Sequence, residues 1–382
     1  MLTQEGCKAR RRRLWERLEP EVRWLIISDP RHLIYLANYY QTPFVFRTNA
    51  AAAILVLGRE EESILIADSG VRMCAEPAFA DEKILPAWYD GKHTATPRPS
   101  KLVSTVLDRL GGCPGMRFGI EPSHLPIGVW SGLKKTRSDA RFVDIEPHLH
   151  ALKRRKDPDE VALLRKSMAA GEAGFAAALE GIEPGMTELE AYLLINEACM
   201  EAAGEQAIVY GDFVTGPRTV KGGGMPTDRK IEKGDLVLLD FSVVINGYRG
   251  DFANTFACRA AATDEQQRRY EICVAAMERG ESLHKPGAAC REIDRGVRAV
   301  LAEHGLAELN HSHMGHGLGL GHPDPPYIVP ESDDVLEEGD VVTLEPGVFE
   351  EGIGGMRVER NYLITRSGCE NLTHHRLTID GI

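Results

Sequence analysis

The sequence has no run of eighteen apolar residues, so it offers no segment able to cross a membrane as a helix. It has no excess of positive charge either. Lys and Arg number 45 against 57 Asp and Glu, a net charge of −12, which disfavours a nucleic-acid partner. Its eight cysteines, scattered from Cys7 to Cys369, include no CxxC pair. That argues against a zinc ribbon, a thioredoxin-type motif and a dense disulfide framework. No apolar stretch follows Arg10, Arg11, Arg12 and Arg13, so the opening residues do not read as a secretory leader. A cytoplasmic protein with reduced thiols is expected. The arginine run reads as the solvated face of a first helix whose apolar edge is Leu14 and Leu18.

What remains is ordinary globular composition, 43% apolar and 27% charged over 382 residues. That length suits two α/β domains, expected at 1–152 and 153–382. In the first, 24–28, 51–58 and 63–67 read as strands, the last two joined as a hairpin, with helices before Trp24 and over 101–110. Asp29-Pro30-Arg31 and Tyr39-Tyr40 read as turn and packing residues, and no catalytic constellation stands out. The second region opens with Asp157-Pro158-Asp159-Glu160, an N-cap, a Pro at the first helical position and a capping-box Glu. That helix runs to about Gly181, and Thr187 with Glu190 opens another that ends at Gly204. Strands follow, including 236–245 and 251–258, joined through the hairpin dipeptide Asn246-Gly247. Then the layout restarts. Thr263 with Gln266 opens a helix, Pro286-Gly287 breaks it, another ends at Gly305, and strands return at 340–349 and 356–365. Pro184 and Pro286, Gly204 and Gly305, Asp240 and Glu345, Asp251 and Glu359 keep a nearly constant separation, which predicts an internal duplication with its halves facing each other.

Four acidic residues sit where apolar strands normally exclude them. Asp240 interrupts Leu236-Val237-Leu238-Leu239, and an unpaired carboxylate is costly in such a buried run. A two-residue turn at Asn246-Gly247 sets Asp240 opposite Ala253 and makes Asp251 its diagonal neighbour on the same face. Glu345 follows Val341-Val342-Thr343-Leu344, and Glu359 follows Met356-Arg357-Val358. Four negative charges in one cavity raise each other's pKa or demand cations, and two divalent metals balance them in full. A scaffold without catalysis would have no use for them. His316, between Gly315 and Gly317, supplies a neutral nitrogen ligand, and this oxygen-rich set suits manganese, iron, cobalt or zinc.

Asp240-Phe241, Gly247-Tyr248, Asp251, Gly315-His316-Gly317-Leu318-Gly319, Leu344-Glu345-Pro346-Gly347 and Arg357-Val358-Glu359 together resemble the pita-bread metallopeptidases. That family includes methionine aminopeptidase, Xaa-Pro aminopeptidase and prolidase, with creatinase as a metal-free relative. The two-domain length resembles the Xaa-Pro aminopeptidase and prolidase branch, which implies a creatinase-like α/β domain followed by a duplicated pita-bread domain. The resemblance implies that Asp240, Asp251, His316, Glu345 and Glu359 hold two divalent ions, manganese first among the candidates, with Asp251 and Glu359 bridging. It implies a water activated between those ions as nucleophile, Glu345 moving its proton to the leaving amine, and Arg357 ordering the site. A homodimer acting on a short peptide or small molecule is implied as well.

The departures bear on substrate. The family's substrate-side histidine falls at Gly223, and no histidine lies between His150 and His284 to replace it. Two further family histidines fall at Ser312 and Pro323, although His311 and His313 flank the first and His322 precedes the second; His313 and His322 become the candidate substrate contacts. These losses keep open a second reading, an enzyme of the same fold acting on a non-peptide small molecule by amide hydrolysis or lyase chemistry.

Overall fold

The computed structural model describes residues 1–45, 51–110 and 117–381. The chain divides into two compact units, Met1–Lys153 and Arg154–Ile382. The first carries helices α1 (Gln4–Glu16), α2 (Pro30–Ala37), α3 (Arg72–Ala75), α4 (Arg98–Leu110) and α5 (Ile127–Thr136), with α6 (Glu146–Arg154) at its end. Its strands are β1 (Val22–Ile27), β2 (Ala53–Gly58), β3 (Ser63–Ala67), β4 (Glu82–Ile84), β5 (Arg117–Ile120) and β6 (Arg141–Asp144). They form one sheet in the order β4-β3-β2-β1-β5-β6, with β2 and β3 as the expected hairpin. Ile26, Ile54, Val56, Val106, Phe118 and Leu133 meet in the core between sheet and helices.

The arginine run is not a solvated face. Arg10 is fully buried and its Nε donates to the Tyr35 carbonyl at 2.7 Å, while Arg11 Nε donates to Leu36 at the same distance. Both carbonyls belong to the last turn of α2, where no intrahelical donor is left for them. Of the four arginines only Arg12 is exposed.

In the second unit, reciprocal caps form where the sequence places them. Asp157 with Glu160 opens α7 (Pro158–Gly181), Thr187 with Glu190 opens α8 (Glu188–Ala203), and Thr263 with Gln266 opens α9 (Asp264–Leu283). Strands β7 (Ile208–Thr215), β8 (Leu236–Ile245) and β9 (Tyr248–Ala257) form an antiparallel sheet after α8. Asn246 and Gly247 both take positive φ, 50° and 85°, as a type I′ turn requires.

After α10 (Cys290–Glu303) come β10 (Gly315–Gly317), β11 (Asp324–Ile328), β12 (Val341–Leu344), β13 (Gly347–Glu350), β14 (Gly354–Arg357), β15 (Arg360–Thr365) and β16 (Gly368–Asn371). The two long strands expected at 340–349 and 356–365 are each broken. Pro346 has no N–H to continue a ladder, and β12 gives way to β13 there while β14 gives way to β15 at Val358-Glu359. β12 pairs with β15 and β13 with β14, so Glu345 and Glu359 lie at the step where one ladder ends and the next begins. That step frees both carboxylates from the alternation of a regular strand. Glu359 N donates to Ala253 O at 2.9 Å, a bridge tying the step to β9.

Candidate metal centre

The hairpin register sets the first pair of acids. Asp240 faces Ala253 and Ser242 faces Asp251, so the two carboxylates are diagonal neighbours on one face. Asn361 holds Asp251 from behind, its side chain bonding both the Asp251 amide and carbonyl. His316 enters on β10 between two glycines that have no room for a side chain. A Cβ at Gly315 would sit 2.1 Å from the Thr343 carbonyl oxygen, and one at Gly317 2.2 Å from that of Pro325. His316 Nδ1 lies 2.9 Å from the Gly317 carbonyl, which assigns the proton to Nδ1 and leaves the Nε2 lone pair facing the cavity.

All five expected ligands converge. His316 Nε2 is 3.3 Å from Glu345 Oε1 and 3.7 Å from Asp251 Oδ2. Donor atoms of Asp240, Asp251 and Glu359 lie within 4.8 Å of one another, as do those of Asp251, His316 and His322, and those of His313, His316 and Glu345. Asp251 and His316 are shared, which merges the three triples into one centre. His313 and His322, each one residue away from the family position, are therefore both in the site. His313 Nε2 is 3.0 Å from Glu345 Oε1, and His322 Nε2 is 2.7 Å from Asp251 Oδ2. Arg357 donates to Asp240. Ser312, Gly223 and Pro323 bring no imidazole of their own.

Electrostatics splits the acids. Burial and the charges of Asp251, Glu345 and Asp240 push the Glu359 carboxyl well above its ordinary value. Burial also lifts Asp240, helped by Asp251 and Glu345 and opposed by Arg357. For Asp251 burial acts upward, but the His322 and Ser242 hydrogen bonds and the nearby imidazoles outweigh it and hold its pKa low. Glu345 is likewise pulled down against burial by His313, His316 and Arg357. Protein groups alone do not keep all four ionised. Glu359 Oε1, moreover, is buried with no hydrogen-bond partner, which is costly unless a cation meets it. The donor set and this orphaned oxygen fit divalent metal.

The centre opens into a cavity of about 210 Å3 lined by Tyr210, Asp212, Ser312, His313, His322 and Arg357 among others. A larger cavity of about 600 Å3 lies in the first unit beside Trp15 and Trp24. Among the described residues it gathers no metal-ligand triple, so size does not locate the chemistry.

Sequence reasoning missed a buried cluster in the first unit, Asp29, His32 and Glu121. Its groups are largely spent on structure. Glu121 Oε2 accepts from the Ser28 and Asp29 amides, its Oε1 bonds His32 Nδ1, and Asp29 caps α2. His32 and Glu121 are 89 residues apart, so no local pattern announces them. Asp212 was also missed, because a lone acid in a half-exposed strand carries no signal.

Fold and site together define a class: a two-domain α/β protein whose duplicated second domain gathers carboxylates and histidines that could hold metal. The chain belongs to metallopeptidase family M24, matched by residues 162–366, and residues 10–154 match the creatinase/prolidase N-terminal domain. The second domain is thus a pita-bread fold, and the family implies divalent metal ions. The Xaa-Pro dipeptidase of Pyrococcus horikoshii is 32% identical over 67% of this chain and 72% of its own length. That of Pyrococcus furiosus is 30% identical over 67% and 73%. Among solved structures, an X-Pro aminopeptidase from Thermotoga maritima superposes with a TM-score of 0.82 at 21% identity, covering 98% of this chain and 99% of that one. The prolidase from Pyrococcus horikoshii gives 0.80 at 23%, covering 97% and 99%. These two structures speak to the fold.

Proposed function

We propose that the chain is a dinuclear-metal hydrolase of the Xaa-Pro dipeptidase type, cleaving the amide bond of a short peptide. The observation that carries this reading is the merging of three donor triples through Asp251 and His316, with Glu359 Oε1 left for a cation. The two Pyrococcus relatives, both Xaa-Pro dipeptidases, point the same way.

In this reading Asp240, Asp251, His316, Glu345 and Glu359 hold two divalent ions. Manganese is the proposed metal, with cobalt, iron or zinc as the other candidates for an oxygen-rich set containing imidazole. When bound, such ions supply Lewis-acid polarisation of a carbonyl and acidify water. The protein's own groups do the rest. Glu345 accepts a proton from the attacking water and returns it to the leaving amine, its neighbours keeping the carboxylate deprotonated and so free to accept. Arg357, paired with Asp240, opposes the upward push that burial gives that carboxyl and orders the ligand. His313 and His322 donate to the substrate carbonyl, standing in for the histidines absent at Ser312 and Pro323.

The test couples elemental analysis to cleavage of Xaa-Pro dipeptides after loading with manganese, cobalt, iron or zinc. Two ions per chain with cleavage supports the reading. Two ions without cleavage favours a non-peptide small molecule instead, hydrolysed at an amide or cleaved as a lyase would. Gly223, where the family places a substrate-side histidine, is the observation on that side. No metal under any loading sinks both.

A further inference from the structure

The open side of the cavity carries an acid that the metal centre does not use. β7 runs antiparallel to β8, with Tyr210 opposite Ser242 and Asp212 opposite Asp240. Residues directly opposite project from one face, so Asp212 stands beside Asp240, its Cβ about 5 Å away. Both line the same cavity.

The glycine run forms the adjoining wall. A Cβ built at Gly223 would lie 2.3 Å from Asp212 Oδ2, so the carboxylate occupies the space that any side chain at 223 would need. Gly224 N donates to Asp212 Oδ1 at 2.7 Å and fixes the group's orientation. An imidazole wall has been exchanged for a carboxylate.

The basic groups nearby are committed elsewhere. Arg357 pairs with Asp240, Arg249 donates to the Tyr210 hydroxyl, and Arg218 is held by Glu188 and the Met225 carbonyl. Among the described residues Asp212 has no ion-pair partner. It faces Asp240 directly across the strand pair, and the positive partners of that site, Arg357 first among them, are engaged by Asp240 and not by Asp212.

We infer that Asp212 is a specificity-determining residue that receives a positively charged group of the substrate. Resting on the dipeptidase reading above, that group is the free α-ammonium next to the scissile carbonyl. Asp212 lines the same small cavity as His313, His322 and Glu345, the groups that the reading above sets at the scissile bond. A purely structural role, holding the Gly224 amide, is the competing account. Asp212→Asn separates the two, since the amide oxygen still accepts from Gly224 while the charge is gone.

The experiment uses the full chain loaded with metal, wild type and Asp212→Asn, with matched metal content and melting behaviour as controls. Steady-state rates are measured on Ala-Pro and on N-acetyl-Ala-Pro. Loss of one charge-assisted contact predicts a KM for Ala-Pro raised roughly tenfold or more, with kcat within about threefold and the blocked peptide unaffected. Equal KM values in the two proteins overturn the inference, as does loss of metal from Asp212→Asn, which would move the residue into the metal centre. Should neither peptide be cleaved, the dipeptidase reading fails on its own. Calorimetry with L-alaninamide and N-acetyl-alaninamide then decides Asp212: charge-dependent binding that Asp212→Asn weakens about tenfold upholds it, and equal binding refutes it.

Discussion

Two residues with the same poor solvation meet opposite fates in this fold. Glu345 is buried, which pushes its pKa up, but the His313 hydrogen bond and the nearby His316 and Arg357 hold it low and keep it deprotonated. Glu345→Gln removes that base, so cleavage is expected to fall at least a hundredfold at saturating metal, the usual scale for such a group. Initial rates beside an unchanged far-UV spectrum would check it, and a rate within tenfold of wild type would remove Glu345 from the proton path. His284 has no such support. It is buried against Tyr362, neither ring nitrogen has a partner, and burial drives its pKa down to about 3. The folded protein therefore refuses a proton that the unfolded chain takes up near pH 6.5, so stability is complete above that value and drains away as pH falls toward 3. At pH 5 the loss amounts to roughly 2 kcal/mol for one such histidine. His284→Phe is expected to shrink the difference in unfolding free energy between pH 7.5 and pH 5 by that order. Parallel pH profiles in denaturant titrations would contradict it.

Individual elements were legible in proportion to how local their determinants are. The β8–β9 hairpin and its register follow from Asn246-Gly247, and the starts of α7, α8 and α9 follow from capping boxes spanning four residues each. The break of β12 into β13 was not read, although Pro346 stands in it, because a ladder's end depends on which strand pairs beside it. Arg10 was misplaced for a similar reason: its partner is the end of α2, 25 residues on. The β10 segment shows what close pairing demands. Gly315→Ala drives a methyl into the Thr343 carbonyl, which must separate β10 from β12 and shift His316. A cost of about 1–3 kcal/mol, the range for overpacking, is expected together with weakened metal binding. Gly287→Ala is the control. Its φ of 85° makes a side chain unfavourable, but nothing lies within 4 Å, so metal affinity should stay at the wild-type value. Equal metal affinity in both variants would dissociate the glycines around His316 from the site.

Across the whole chain, the candidate metal centre was the most legible feature and the cavity wall beside it the least. Carboxylates in apolar strands are improbable enough to be noticed, and Asp240, Asp251, Glu345 and Glu359 meet in space as their spacing suggests. Asp212 and the pair His32–Glu121 carry no such anomaly, because an acid in a half-exposed strand or a histidine on a helix is unremarkable until its neighbour is known. The same carboxylates tie metal to the stability of the molecule. With Glu359 and Asp240 pushed above their ordinary values, the metal-free fold holds protons there to higher pH than the unfolded chain does. Bringing in divalent cations must expel those protons and supply the partner that Glu359 Oε1 lacks. Each ion held at a hundred times its dissociation constant adds about 2.7 kcal/mol, so two raise the melting temperature by roughly 7 °C for a chain of this size. Thermal melts of chelated and reloaded protein measure the shift, and calorimetry in buffers of differing ionisation heat counts the protons. A shift without proton release would mean the carboxylates are already ionised in the metal-free fold, and the electrostatic account of Glu359 would have to be abandoned even though the metal site stood.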